Sequence, residues 1–246
     1  MLLKTPRLYS PGVDKALLPE ALGESRFLRV VSSFEKNYLT CELSGYESRS
    51  RASEAAIKAN EEAPFLMEWR NPKVEEEKKI NRKNVRIVES LTYWSRHVDL
   101  AIRNGQGALI FAPWFTQSEI NAIFRSAMIA RYEGEDGAKG MEYASKLLTT
   151  LTDLSSDELL LAALGIEYQV AKWSAADWLE GMQNLPSKAR KSYAQQFARH
   201  VRFMPSTRKF NHLAAFWHQA ANQDREPTWQ FKAITQFIDQ QKIARQ

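Results

Sequence analysis

Cysteine is almost absent from this chain: Cys41 is the only one in 246 residues. A single thiol excludes an intrachain disulfide framework and a four-cysteine zinc site. Glycine (10) and proline (9) are too scarce for a collagen-like chain. Long apolar runs are missing as well. The longest uncharged apolar stretch is Gly107–Phe115, well short of the roughly 20 residues that a membrane-spanning helix needs. The opening Met1-Leu-Leu-Lys-Thr-Pro-Arg-Leu has neither a long apolar centre nor a small-residue cleavage site. No signal peptide is expected from it, and a cytoplasmic location without membrane contact is the default.

What is present suits a folded protein. Apolar residues make up 44% and charged residues 26%, ordinary values for a chain that buries a core. Seven Trp, eight Tyr and twelve Phe are too many for a wholly disordered chain.

Charge is unevenly spread. Residues 185–246 hold eleven Lys or Arg against three acids, whereas residues 133–180 hold ten acids against three Lys. A concentrated basic end points to a polyanionic partner, nucleic acid first. The plain alternative is a solvated helical surface that happens to be basic.

Pro6, Pro11, Gly12, Pro19 and Gly23 mark residues 1–26 as an irregular arm. Phe27–Val31 and Lys36–Leu43 each fit a strand or a helix, because short apolar runs do not fix a period. Residues 47–62 read as a helix closed by Pro64. Val85, Val88, Leu91, Trp94, Val98 and Ile102 recur at steps of three and four. That stripe predicts one long helix over Val74–Asn104. Ala108–Ala112 is a short apolar bridge. Thr116-Gln-Ser-Glu119 has the reciprocal capping-box form that starts a helix. Further helices are expected at 138–151, 157–171 and 174–181. Residues 27–184 thus read as a mainly α-helical domain.

The pattern changes after Pro186. Residues 187–196 form a basic amphipathic helix or linker. In Phe197-Ala-Arg-His-Val-Arg-Phe-Met-Pro-Ser206, Val201 and Phe203 alternate with His200, Arg202 and Met204, the period-two signal of a strand buried on one face. Pro205 ends the strand. Ser206 or Thr207 then stands at an N-cap, followed by Phe210, Leu213, Phe216 and Trp217 at helical spacing. Pro227-Thr228 opens a second helix.

This strand–helix–helix order resembles the ribbon-helix-helix family of DNA-binding domains over residues 197–243. With a large helical segment in front of it, the arrangement is similar to the AcaB-type activators of conjugative plasmids. The resemblance implies that two chains pair their strands into a ribbon that enters the major groove of double-stranded DNA. It implies that Val201 and Phe203 face the helices and that His200, Arg202 and Met204 face the groove. Arg199, Arg208 and Lys209 would supply phosphate contacts, and Thr228 would meet the backbone at a helix start. The chain departs from the family in having Asp224-Arg225-Glu226 where a Gly usually precedes the second helix. It also has one extra residue between the strand and the first helix. A strand with two amphipathic helices is also common packing in α+β domains, where Arg202 would be a plain solvent-facing residue.

Enzyme signatures are missing. There is no His-Glu-x-x-His pattern, no Gly-x-Ser-x-Gly elbow and no phosphate-binding Gly-rich loop. Cys41 has no partner pattern for a nucleophile. His97 reads as a surface or half-buried helical histidine rather than a ligand. Asp157 and Glu158 sit at a helix start, where the dipole favours them.

The expectation is a mainly α protein that ends in a basic ribbon-helix-helix module at 185–246. It is a non-enzyme with no cofactor and no metal, and it acts as a homodimeric, sequence-specific DNA-binding regulator of transcription. RNA polymerase or a second regulator is a further candidate partner. The alternatives are a helical interaction or adaptor protein, and an accessory component of a DNA-transfer complex.

Overall fold

The computed structural model describes residues 23–34, 40–44, 46, 64–70, 80–132, 138–157, 160, 177, 179, 181, 184–219 and 228–243. The described residues are mainly helical, with two small antiparallel sheets.

Glu24–Ser32 (α1) is a helix, not the strand that its apolar run also fits, and it begins inside the expected irregular arm. It buries Phe27 and Val31. The long helix expected over Val74–Asn104 is not formed. Val85–Glu89 is instead a strand, β2, paired antiparallel with Phe65–Trp69, β1. The β-branched Val85, Ile87 and Val88 suit a pleated surface, and Phe65 and Leu66 pack beside them in the core. The helical part of the stripe begins only at Ser90. It divides at His97 into Ser90–Arg96 (α2) and Val98–Arg103 (α3). The helices expected at 47–62 and most of those at 157–171 and 174–181 lie outside the described residues.

Gly107–Phe111 (β3) is followed by Gln117–Tyr132 (α4) and Ala138–Thr152 (α5). The capping box at the start of α4 is reciprocal: the Glu119 carboxylate accepts from the Thr116 N–H at 2.6 Å, and the Thr116 hydroxyl accepts from the Glu119 N–H at 3.2 Å. Two orphan amides at the helix start are thereby satisfied.

The C-terminal elements are Ser187–His200 (α6), Val201–Pro205 (β4), Thr207–Phe210 (α7), Leu213–Gln219 (α8) and Thr228–Ile243 (α9). Ser206 caps α7, its hydroxyl accepting from the Lys209 N–H at 3.4 Å. The strand expected after residue 197 is formed only over Val201–Pro205, since Phe197–His200 end α6; the first helix expected after it divides into α7 and α8, and the second is α9. The partner of the strand differs from the expectation: β4 pairs antiparallel with β3 of the same chain, from Gly107 opposite Pro205 to Phe111 opposite Val201. Gly107 is needed at that end, because a Cβ there would run into the Met204 carbonyl and the Phe203 ring.

The core spans both sides of this pairing. Helix α4 packs on α5, on α8 and on β4, while α9 packs on α5. Phe124 of α4 meets Phe210 and Trp217 edge-on, and these two stack on each other at 13°. Each fully buried side chain of this kind contributes about 1.5–3 kcal/mol relative to an exposed one.

Two buried carboxylates hold the first sheet to the helices. Glu68 of β1 is ion-paired with Arg86, with Arg96 at 3.2 Å and with His97 at 3.0 Å. His97 is thus a buried structural group rather than a surface histidine. Glu89 is held by Arg125 through two guanidinium contacts, at 3.1 and 2.6 Å, and Arg125 lies over the Tyr46 ring at 4.4 Å. Desolvating a lone carboxylate is costly, so each buried acid is paired: Glu68 with several basic groups, and Glu89 with Arg125 and the Thr92 hydroxyl.

Candidate nucleic-acid interface

Residues 181–223 contain no Asp or Glu and seven Lys or Arg. Helix α6 carries Lys188, Arg190, Lys191 and Arg199. Lys188, Lys191 and Arg199 are exposed. At 3.6 residues per turn, their spacing of three and eight puts them on one face, over about 16 Å of helix axis. Ser192 and Gln195 share that face and are exposed, whereas Tyr193, 49% exposed, projects from a different side of the helix. Arg208 on α7 is exposed and Lys209 is half-buried.

The expected groove-facing residues are placed differently. Every residue of β4 is buried. Arg202 is 5% exposed. Its guanidinium donates to the carbonyls of Phe115, of Ala198 (2.7 Å) and of Val201 (2.6 Å). Ala198 lies in the last turn of α6, whose final carbonyls lack helical partners, and Val201 is the first residue after it. Arg202 therefore ties the end of that helix to the loop before α4. Burial lowers its pKa to about 10, and the nearby Glu119 works in the opposite direction. Met204 is buried at 3%. His200 is half-buried, its ring parallel to that of Phe111 at 6.2 Å, and its carbonyl accepts from the Ala112 N–H. Thr228 opens α9.

Of the residues read from sequence, Arg199, Arg208 and Lys209 reach the surface, while Arg202 and Met204 do not. The pleat does send Arg202 to the face opposite Val201 and Phe203, as expected, but Phe115 and Ala198 cover that face.

The outer edge of β4 is also closed. Gln117 of α4 receives the Phe203 N–H on Oε1 at 2.8 Å and donates from Nε2 to the Phe203 carbonyl at 2.8 Å. Its carboxamide takes the place that a neighbouring strand would occupy. Pro205, next along that edge, has no N–H to offer. A second copy of β4 cannot pair there while Gln117 holds Phe203. The ribbon between two chains, and direct base reading by Arg202 and Met204, are not formed in this arrangement. Gln117 was missed because a Gln inside a capping box reads as a neutral spacer.

No family model and no curated protein matches the chain. Among the described residues, no helix is long and apolar enough to cross a membrane.

Proposed function

We propose that this chain is a DNA-binding protein that acts in transcriptional regulation, and that it takes the phosphate backbone on the basic face of α6, with Arg208 and Lys209 of α7 as further contacts. The carrying observation is the acid-free stretch 181–223, which displays Lys188, Lys191, Arg199 and Arg208 to solvent. Cations in a row without intervening carboxylates exchange condensed counterions for protein contacts, which gives strong, salt-dependent affinity. The about 16 Å between Lys188 and Arg199 is close to five base-pair rises of duplex.

Phosphate contacts position a protein and carry no sequence information by themselves. Selectivity in this reading comes from the uncharged side chains between the cations on the α6 face, Ser192 and Gln195, facing the major groove as a helix does. Dimerisation through paired β4 strands is not part of it.

The test is a titration of the whole protein against its own upstream DNA and against a scrambled duplex of equal length, at several salt concentrations. Tighter binding to the upstream duplex supports the regulator. Equal binding to both leaves DNA binding without regulation. Absence of binding to either at low salt overturns the reading in favour of a helical adaptor.

A further inference from the structure

Away from α6, the last turn of α1 and the loop leading into β2 enclose an open cleft of about 630 Å³. Its rim carries Arg29, Arg82 and Lys83, all exposed, together with Ser33 and Asn81, and its floor is Val30 and Ile80. Among the described residues, no carboxylate lines it. Among the described residues none of the three rim cations is ion-paired. Arg70, whose Nε donates to the Arg82 carbonyl at 3.2 Å, is already matched to Glu42 at 2.7 Å.

The rim is held in place from both sides. The carbonyl of Asn81 accepts from the N–H groups of Asn84 and Val85, both at 3.0 Å, and its Oδ1 accepts from the Lys83 N–H at 2.9 Å. This tight turn keeps Arg82 and Lys83 adjacent. The Arg82 guanidinium also lies over the Phe34 ring at 5.5 Å, a cation–π contact that restrains it. The end of α1 would repel an anion if its carbonyls were bare. They are not: Ser33 and Phe34 donate to the carbonyls of Arg29, Val30 and Val31.

We infer that this cleft binds a nucleotide, with the phosphates on Arg29, Arg82 and Lys83 and the base against Val30 and Ile80. Cations alone would suit any small anion. The apolar floor beneath them selects an anion that carries a flat, weakly polar group. The occupant is a free mononucleotide or an unstacked nucleotide of a single strand. The site is separate from the α6 face and does not rest on it.

Fluorescently labelled ATP, followed by anisotropy on the full chain without divalent cations, tests this. Saturable binding is expected, displaced by unlabelled ATP and only weakly by pyrophosphate. Arg82→Glu and Lys83→Glu, both at exposed positions, should each weaken it by about tenfold or more, as loss of a charge-assisted contact does. Ile80→Ser should weaken ATP but leave pyrophosphate unchanged. Lys188→Glu with Lys191→Glu should have no effect, which separates this site from the α6 face. Displacement by single-stranded oligonucleotide at lower concentration than ATP would assign the site to a strand, and the reverse order to a free nucleotide. Binding that does not saturate, that survives reversal at 82 and 83, or that disappears on reversal at 188 and 191 overturns the proposal. So does pyrophosphate competing as well as ATP.

Discussion

The side chain of Gln117 pairs with both backbone groups of Phe203, accepting from its N–H and donating to its carbonyl, each at 2.8 Å. The same amide nitrogen donates to Asn121 Oδ1 at 3.0 Å, which also accepts from the Ser95 hydroxyl at 3.0 Å. A chain of polar contacts thus runs from α2 through α4 to β4 inside the core. Gln117→Ala leaves the Phe203 amide and carbonyl buried without partners, at a cost of about 1–3 kcal/mol for each group. Urea denaturation should show a midpoint lowered accordingly. Gln117→Glu, which keeps an acceptor and loses the donor, should fare no better. An unchanged midpoint in both variants would show that the outer edge of β4 is not closed in this way.

Arg202→Ala should act on stability rather than on base recognition. It removes the donors to Phe115, Ala198 and Val201 carbonyls and leaves a void in the packing. Loss of several buried hydrogen bonds to a charged group predicts a penalty of about 3 kcal/mol or more. Arg202→Lys should rescue only part, since an ammonium lacks the planar fork. A variant of native stability that had lost preference between DNA sequences would instead support an outward-reading Arg202.

The sequence made the elements around this site legible and left their partners hidden. Thr116 and Glu119 announce a helix start because both halves of the cap are local. Val201, Phe203 and Pro205 mark a strand by alternation alone. That β4 pairs with β3, however, depends on residues far apart in the chain, such as Phe203 and Leu109, and period says nothing about such pairings. Arg202 misleads because an Arg between apolar strand residues looks solvent-facing; its burial depends on backbone carbonyls that no residue pattern encodes. Val85 and Val88 mislead in the other direction, since a short strand running into a helix imitates one long helical stripe. Glu68 and His97, 29 positions apart, give no local sign that they meet.

Glu68 should make stability fall in acid. Burial alone would raise its carboxyl pKa. The His97 hydrogen bond and the charges of Arg96, His97 and Arg86 outweigh that and bring it from 4.5 down to about 2. A carboxyl lowered by folding stabilises fully above about pH 4.5, and the contribution is lost as pH falls from there toward 2. The amount is on the order of 3 kcal/mol. Denaturation of wild type and Glu68→Gln across this range checks it. The variant should be less stable at neutral pH and flatter with pH, and parallel curves would remove Glu68 from the account.

Gly107→Val should be poorly tolerated. The new side chain meets the Met204 carbonyl and the Phe203 ring across the β3–β4 pair. Overpacking of this kind costs about 1–3 kcal/mol, and here backbone has to move. Circular dichroism with thermal melting should show a lowered midpoint. A melt equal to wild type would mean that the two strands do not approach each other at this end.

The most direct test of the account is the salt dependence of duplex binding by Lys188→Ala/Lys191→Ala/Arg199→Ala. These side chains are exposed on one helix face, so the variant should keep its melting temperature. If each wild-type cation neutralises one phosphate, the slope of log affinity against log salt should become shallower by about 0.9 per residue removed, nearly 3 in all. Affinity should fall for every sequence. An unchanged affinity and slope in a folded triple variant would contradict the assignment of the α6 face to DNA.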